Sequence, residues 1–313
     1  MRKGVYTVLL LFVTAFVFAQ QDAHYNFYLF NKLLINPGYT GGAERLSLTA
    51  LYRNQWAGIK GAPQEFTFSA HSPLANDRHA MGLNLLNDLI GPYNNVKFSV
   101  DYAFRIPIKK YRLAIGLQVG FNQYSTKWSE ITAFQNGDDV YQNQSKSVFK
   151  PVVGLGIFFS NKTWAVGFSV PNIMGNKLDV TTKNNFAIKE NVHYYLTAEY
   201  LLRFKKTDFI KLKPSMLAKY TNGGPFNIDV NLYLIFKDVV WLGGGYRTDR
   251  SGSVSALVNI DKVKGSKALN FRVGYAYEIP NANLRKLTSG AHEVMLSFDL
   301  SRADQRIISP RYF

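Results

Sequence analysis

The chain has 313 residues, no cysteine and a net charge of +16 at pH 7. Without cysteine, disulfides, thiol chemistry, cysteine metal sites and the lipid-anchored cysteine of a lipoprotein are all excluded. The positive charge alone would suit a nucleic-acid binder, but the N-terminal sequence indicates export and argues against nucleic acid as a partner.

The first predicted element is a secretory signal peptide that ends at Ala19. Arg2 and Lys3 form its positive start, and Val5 to Phe18 is an apolar stretch too short and wrongly flanked for a membrane anchor. Val17 and Ala19 fit the −3 and −1 positions of a cleavage site. Removal of the signal takes away two positive charges and leaves a net charge of +14 (16 − 2).

The rest of the chain has the composition of a membrane β-barrel. After the signal peptide, no stretch reaches the roughly 18 apolar residues that a spanning helix requires. A closed barrel is the other structure that satisfies every backbone polar group inside lipid. Aromatic residues make up 15% of the chain and mean hydropathy is −0.11, which is typical of aromatic girdles around a polar lumen.

From about residue 44 the apolar residues recur with a period of two, which predicts strands. Leu113, Ile115 and Leu117 alternate with Ala114 and Gly116, and similar segments follow along the chain. We predict an all-β, antiparallel outer-membrane barrel of about fourteen strands, FadL-like in size. The predicted strands lie near residues 45–53, 64–72, 79–88, 95–106, 111–124, 148–160, 163–170, 191–203, 209–220, 226–236, 239–247, 253–260, 268–279 and 291–300.

The connections between these strands alternate between short turns and longer loops, as in outer-membrane barrels. An even strand number places both termini on the periplasmic side. The predicted organisation is a signal peptide (1–19), an N-terminal periplasmic or plug segment (20–43), the barrel (44–300) and a C-terminal tail (301–313). The tail is expected to fill the lumen, to reach a periplasmic partner or to be disordered.

Charged residues fall into two predicted groups. The first is a basic rim of short turns, which is either a solvated surface or a docking face for an acidic periplasmic partner. Its members are Lys109, Lys110, Lys162, Lys205, Lys206, Lys237, Lys262, Lys264 and Lys267. The second group faces the lumen, where buried charges are expected to pair, and includes Arg105, Glu199, Arg272 and Glu293. Whether the lumen is open or plugged is left undecided by this pattern.

No motif indicates catalysis. The five histidines are scattered without metal-ligand spacing, and no nucleophile motif is present. The sequence therefore predicts no enzyme activity, no cofactor and no metal site.

A set of short motifs covers essentially the whole mature chain. They are Gln21 to Tyr28, Asn31, Ile35 to Gly41, Tyr52 to Pro63, Asn87 to Gly91, Tyr102 to Ile106, Leu212 to Ser215, Trp241 to Gly243, Gly274 to Tyr277, Ser289 to Leu296 and Ile308 to Phe313. These motifs resemble those of the PorP/SprF family, outer-membrane proteins of the type IX secretion and gliding machinery of Bacteroidota. Gly38 and Ala291 stand where alanine and serine are usual in that family.

The resemblance implies an accessory or partner-specific component of type IX secretion in the outer membrane. Its implied partners are membrane lipid, the C-terminal domain of secreted cargo such as an adhesin, and periplasmic ring or peptidoglycan-binding lipoproteins. Binding would serve export or surface attachment of that cargo. The alternative function is a passive or hydrophobic-solute channel.

Candidate site residues follow from these motifs. Outer-loop residues expected to bind a partner are Arg53, Gln55, Trp56, Gly58, Gly61, Pro63, Asn87, Asp88 and Gly91. Trp56 would equally suit an interface anchor with no partner. Asn36, Pro37 and Gly38 are predicted to form a turn that places the N-terminal segment under or inside the barrel.

Overall fold

The structure is a computed structural model that describes residues 25–74, 76–127, 147–175, 177–179, 187–189, 191–204, 209–222, 224–248, 251–260, 269–280, 285–300 and 312–313. The predicted signal peptide lies outside the described residues. So do basic-rim residues Lys205, Lys206, Lys262, Lys264 and Lys267, and tail residues 301–311.

Strands dominate the described chain. They are β1 (Leu46–Asn54), β2 (Gln64–Pro73), β3 (His79–Ile90), β4 (Tyr93–Ile108), β5 (Tyr111–Thr126), β6 (Val148–Ser160), β7 (Trp164–Val170), β8 (Lys177–Asp179), β9 (Ala187–Lys189), β10 (His193–Tyr200), β11 (Leu202–Arg203), β12 (Ile210–Thr221), β13 (Asn227–Phe236), β14 (Val240–Arg247), β15 (Gly252–Asn259), β16 (Leu269–Ile279) and β17 (Ala291–Leu300). Three short 3₁₀ helices precede them: η1 (Asn26–Leu29), η2 (Lys32–Leu34) and η3 (Pro37–Tyr39).

Fourteen of these strands form one closed antiparallel barrel: β1–β7, β10 with its short continuation β11, and β12–β17. Neighbours in the sequence pair with each other, and β10 pairs with both β7 and β12. The barrel closes where the first strand pairs with the last, from Leu46 opposite Leu300 to Asn54 opposite His292. Strands β8 and β9 form a separate hairpin.

The predicted fold class is confirmed. In the barrel, side chains alternate between outward and inward along a strand, as in β1, where Leu46 and Tyr52 are exposed while Thr49 and Arg53 are buried. Apolar and aromatic side chains cover the outer face, and polar or charged side chains line much of the lumen. In the part of the chain that the structure describes, no helix is long and apolar enough to cross a membrane.

The two ends of the barrel differ. At one, called here the long-loop end, β1, β3, β5, β7, β12, β14 and β16 end, and the described connections 55–63 and 91–92 lie there. At the other, called the short-turn end, β2, β4, β6, β11, β13, β15 and β17 end, and the described connections 109–110, 161–163 and 237–239 lie there. The N-terminal segment lies between these ends, inside the barrel.

Candidate functional site: the filled lumen and the rims of the barrel

Residues 25–45, called here the plug, run through the lumen from the long-loop end to the short-turn end. Most of their apolar side chains are buried, including Phe27 and Leu33, each with 0% exposure. Three 3₁₀ turns give the plug a compact path, and the chain then enters β1 at Leu46. The lumen is therefore occupied by a segment of the same chain, and its polar wall binds that segment at four levels.

At the long-loop end, Glu293 of β17 holds the start of the plug. Its carboxylate accepts hydrogen bonds from the backbone N–H groups of Asn26 and Phe27, each at 2.8 Å. Arg247 donates to the Asn26 side chain at 3.0 Å and pairs with Glu278 at 2.8 Å. Arg53 pairs with Glu278 at 3.1 Å and lies 3.5 Å from Glu293. Plug and wall thus share one ion-pair network.

In the middle of the lumen, Glu199 of β10 sits between two lysines. Its carboxylate lies 3.3 Å from Lys32 of the plug and 2.7 Å from Lys213 of β12. All three side chains are almost fully buried, with exposures of 4% or less. Because a buried charge is costly without a partner, this trio ties the position of the plug to that of the barrel wall.

Below this level, the Asn36-Pro37-Gly38 motif is seated against the wall of β5 to β7. Asn36 caps its own turn by accepting from the Gly38 N–H at 2.8 Å, and its amide donates to the Ile157 carbonyl at 3.1 Å. Gly116 and Gly156 leave the space for the motif: a Cβ on Gly116 would overlap the Pro37 backbone, and one on Gly156 would overlap the Asn36 side chain.

At the short-turn end, the plug is held by one neutral and two charged contacts. The Gly41 N–H donates to His71 Nδ1 at 3.0 Å. Glu44 pairs with Arg112 and lies 3.9 Å from Arg105. Gly41 has a φ of +74°, a conformation that L side chains rarely adopt, and its position beside Ala80 leaves no room for a Cβ.

The structure places all four residues predicted to line the lumen on its inner face. Glu293, Glu199 and Arg105 contact the plug, as described above. Arg272 binds the wall itself, pairing with Asp299 at 2.9 Å. The alternation of side chains along each strand predicts that these residues face the lumen. It does not predict their contacts with the plug.

At the long-loop end, the connection 55–63 hydrogen-bonds to two others, the turn at 91–92 and the residues just before β17. The Ala57 N–H donates to the Gly290 carbonyl and the Ser289 N–H donates to the Ala57 carbonyl, both at 2.9 Å. The Gly91 N–H donates to the Gly61 carbonyl at 3.0 Å. The loop 55–63, which contains Gln55, Trp56, Gly58, Gly61 and Pro63, is therefore fixed between two neighbouring connections.

Three of the predicted outer-loop residues lie elsewhere. Arg53 belongs to β1 and is 1% exposed, because the parity of that strand turns its side chain into the lumen. Asn87 and Asp88 belong to β3, which continues to Ile90 because a tight turn at 91–92 closes the hairpin. Arg53, Asn87 and Asp88 are thus wrongly assigned to loops, while Gly91 does lie at the rim.

Three exposed apolar side chains lie on the same group of connections. Trp56 is 38% exposed, Ile59 40% and Leu287 69%. Leu287 lies in the connection before β17, whose residues Ser289 and Gly290 hydrogen-bond to Ala57. We call Trp56, Ile59 and Leu287 the apolar rim patch.

The described part of the basic rim lies at the short-turn end. Lys109 and Lys110 form the turn between β4 and β5, Lys162 lies between β6 and β7, and Lys237 follows β13. Lys109, Lys110 and Lys162 line a cleft together with Arg112 and Phe313. Among the described residues, no group of three or more His, Cys, Asp or Glu residues is placed to hold a metal ion.

Comparison with solved structures shows the fold. The CymD monoaromatic hydrocarbon channel is similar, with a TM-score of 0.53 and 9% identity over 87% of this chain and 92% of that chain. The TodX deltaS2S3 mutant, a monoaromatic hydrocarbon channel, has a TM-score of 0.52 and 8% identity over 90% of this chain and 95% of that chain. A FadL homologue of Pseudomonas aeruginosa has a TM-score of 0.48 and 11% identity over 87% of this chain and 93% of that chain.

No curated protein sequence matched the chain. The family model described as type IX secretion system membrane protein PorP/SprF matches residues 17–298, which is most of the chain. That family is a secretion-system membrane family and not an enzyme family. The protein therefore belongs to the PorP/SprF family of type IX secretion system membrane proteins.

Proposed function

We propose that this barrel works as a docking component of type IX secretion, binding secreted cargo at its long-loop end and machinery lipoproteins at its short-turn end. In this proposal the long-loop end faces the cell exterior and the short-turn end faces the periplasm. The observation that carries the proposal is the plug: a lumen filled along its length by its own chain favours binding at the rims over conduction.

The apolar rim patch supports cargo binding at the outer end. Trp56, Ile59 and Leu287 are exposed on loops held rigid by hydrogen bonds, so a partner would meet a preformed surface and lose little entropy in ordering it. Aromatic and large aliphatic anchors of this kind commonly supply most of the affinity of an interface. The partner expected here is the C-terminal domain of a secreted adhesin or similar cargo.

The test is crosslinked affinity purification of the intact protein from membranes. Trp56→Ser combined with Leu287→Ser should abolish recovery of cargo without changing the amount of folded barrel. Phe226→Ser is the matched control, because Phe226 is 56% exposed at the same end but lies outside the patch. Equal cargo recovery from the double variant and the control would contradict the proposal.

The alternative is a passive or hydrophobic-solute channel. A steady open current from the wild-type protein in a planar bilayer would support that alternative and argue against a docking role. We expect silence, because the plug side chains and their ion-pair partners occupy the lumen at four levels.

A further inference from the structure

The last two residues of the chain lie in a pocket of their own at the short-turn end. Tyr312 and Phe313 are 7% and 5% exposed, as buried as many core residues. Their pocket is formed by Lys211 and Lys213 of β12, Asp238 of the turn before β14, and Trp241 of β14; we call it the tail pocket.

Polar contacts recognise both the side chain and the backbone of Tyr312. Its hydroxyl accepts a hydrogen bond from Lys211 Nζ at 2.8 Å and donates to the Asp238 carboxylate. Lys213 Nζ donates to the Tyr312 carbonyl oxygen. Since Lys211 and Asp238 also pair at 2.8 Å, the phenol closes a compact network of charged hydrogen bonds.

Aromatic contacts complete the pocket. The Trp241 ring, itself 2% exposed, stacks on Tyr312 with ring centroids 5.9 Å apart and an interplanar angle of 29°. Lys213 Nζ lies 5.3 Å from the Phe313 ring centre, within the range of a cation–π contact. These contacts recognise the side chains of Tyr312 and Phe313, and neither residue adds a strand to the barrel.

We propose that the tail pocket is a peptide-recognition site for a tyrosine–phenylalanine dipeptide, filled here by the chain's own tail. Once vacated, the pocket accepts the same dipeptide from a separate chain. Access is from the short-turn end, because Phe313 also lines the cleft that contains Lys109 and Lys162. This inference goes beyond the proposed cargo role and stands without it.

The test uses the full-length protein in detergent and a fluorescein-labelled peptide of residues 305–313. In the variant Tyr312→Ala/Phe313→Ala the pocket is vacant, and we expect saturable binding by fluorescence anisotropy. Wild-type protein should bind at least about tenfold more weakly, because its own tail competes at a high effective concentration. A peptide in which alanine replaces both aromatic residues should not bind.

Substitutions in the tail pocket test whether the peptide binds there. Adding Lys213→Met or Trp241→Leu to the vacant protein should remove peptide binding, whereas adding Lys60→Glu, at the opposite end of the barrel, should not. Heat-modifiable migration on gels verifies that each barrel is folded. A folded vacant variant that fails to bind the peptide, or that binds the alanine peptide equally well, would overturn the proposal.

Discussion

Gly116 of β5 and Gly156 of β6 are directly paired neighbours in the barrel wall, and together they leave the space that Pro37 and Gly38 occupy. Both glycines belong to strands, where glycine weakens the strand and often marks the close approach of another backbone. Here the approaching backbone is that of the plug. The pair therefore links the sequence of the wall to the seating of the N-terminal segment.

Substitution of one of these glycines should displace the plug while leaving the barrel closed. In Gly156→Val a side chain would occupy the place of the Asn36 amide, and the motif would have to leave the wall. We expect the N-terminal segment to become sensitive to added protease and the bilayer current to rise above that of the silent wild type.

Gly244→Ala is the control for that experiment, because a Cβ at Gly244 meets only one atom within 4 Å, at 3.9 Å. It should behave like the wild type in both assays. If Gly156→Val leaves the N-terminal segment protected and the current unchanged, the seating of the motif does not keep the plug in place.

The buried trio of Lys32, Glu199 and Lys213 predicts an asymmetry between two substitutions. Glu199→Gln leaves two buried ammonium groups without a counter-charge and should lower the free energy of unfolding by about 3–5 kcal/mol. Lys32→Met leaves the Glu199–Lys213 pair intact and should cost clearly less. Urea unfolding of the barrel in lipid vesicles measures both, and a larger loss for Lys32→Met would contradict this account.

Neutralising Glu293 should loosen the start of the plug. In Glu293→Gln one side-chain oxygen becomes an amide donor that faces the N–H groups of Asn26 and Phe27, so one hydrogen bond is lost to a donor–donor contact. Hydrogen exchange of residues 25–34 should become faster. Ser47→Ala, which removes a hydrogen bond to Asp299 near the short-turn end of the lumen, should leave that exchange rate unchanged.

Charge reversal at the short-turn end tests the docking of an acidic partner. Lys109→Glu, Lys110→Glu and Lys162→Glu together should weaken recovery of periplasmic machinery lipoproteins, and wild-type recovery should fall as salt is raised. Insertion of the barrel should not change, because these lysines lie in turns. Lys60→Glu, at the opposite rim, is the control; loss of recovery in the control alone would refute the assignment of ends.

The strands could be predicted because each carries its own evidence in the alternation of side chains. The alternation that begins at Leu113 predicts a strand near 111–124, and the structure gives Tyr111–Thr126. Strand parity also identified lumen residues such as Glu199. The alternation that turns Thr49 inward also turns Arg53 inward, whereas the loop motif that continues beyond Arg53 favours the loop assignment, which is wrong.

The seating of the plug could not be predicted in the same way. The sequence predicts a turn at Asn36, but the contact of Asn36 with Ile157 joins segments far apart in the chain. The periodicity of side chains along a strand does not indicate which residues of the irregular plug contact which residues of the barrel wall. Likewise, Tyr312 was placed only in a tail with several possible fates, because its pocket is assembled from two strands and a turn.

The closing seam between β1 and β17 joins the beginning of the barrel to its end. The plug immediately precedes β1, and Asn26 and Phe27 at its start lie at the long-loop end, where Glu293 of the closing strand binds them. Strand β17 thus binds the N-terminal segment through Glu293 and also pairs with β1. If β1 and β17 pair last, the barrel can form around the plug. Asn26 and Lys32 then do not have to pass through a closed lumen lined with charges.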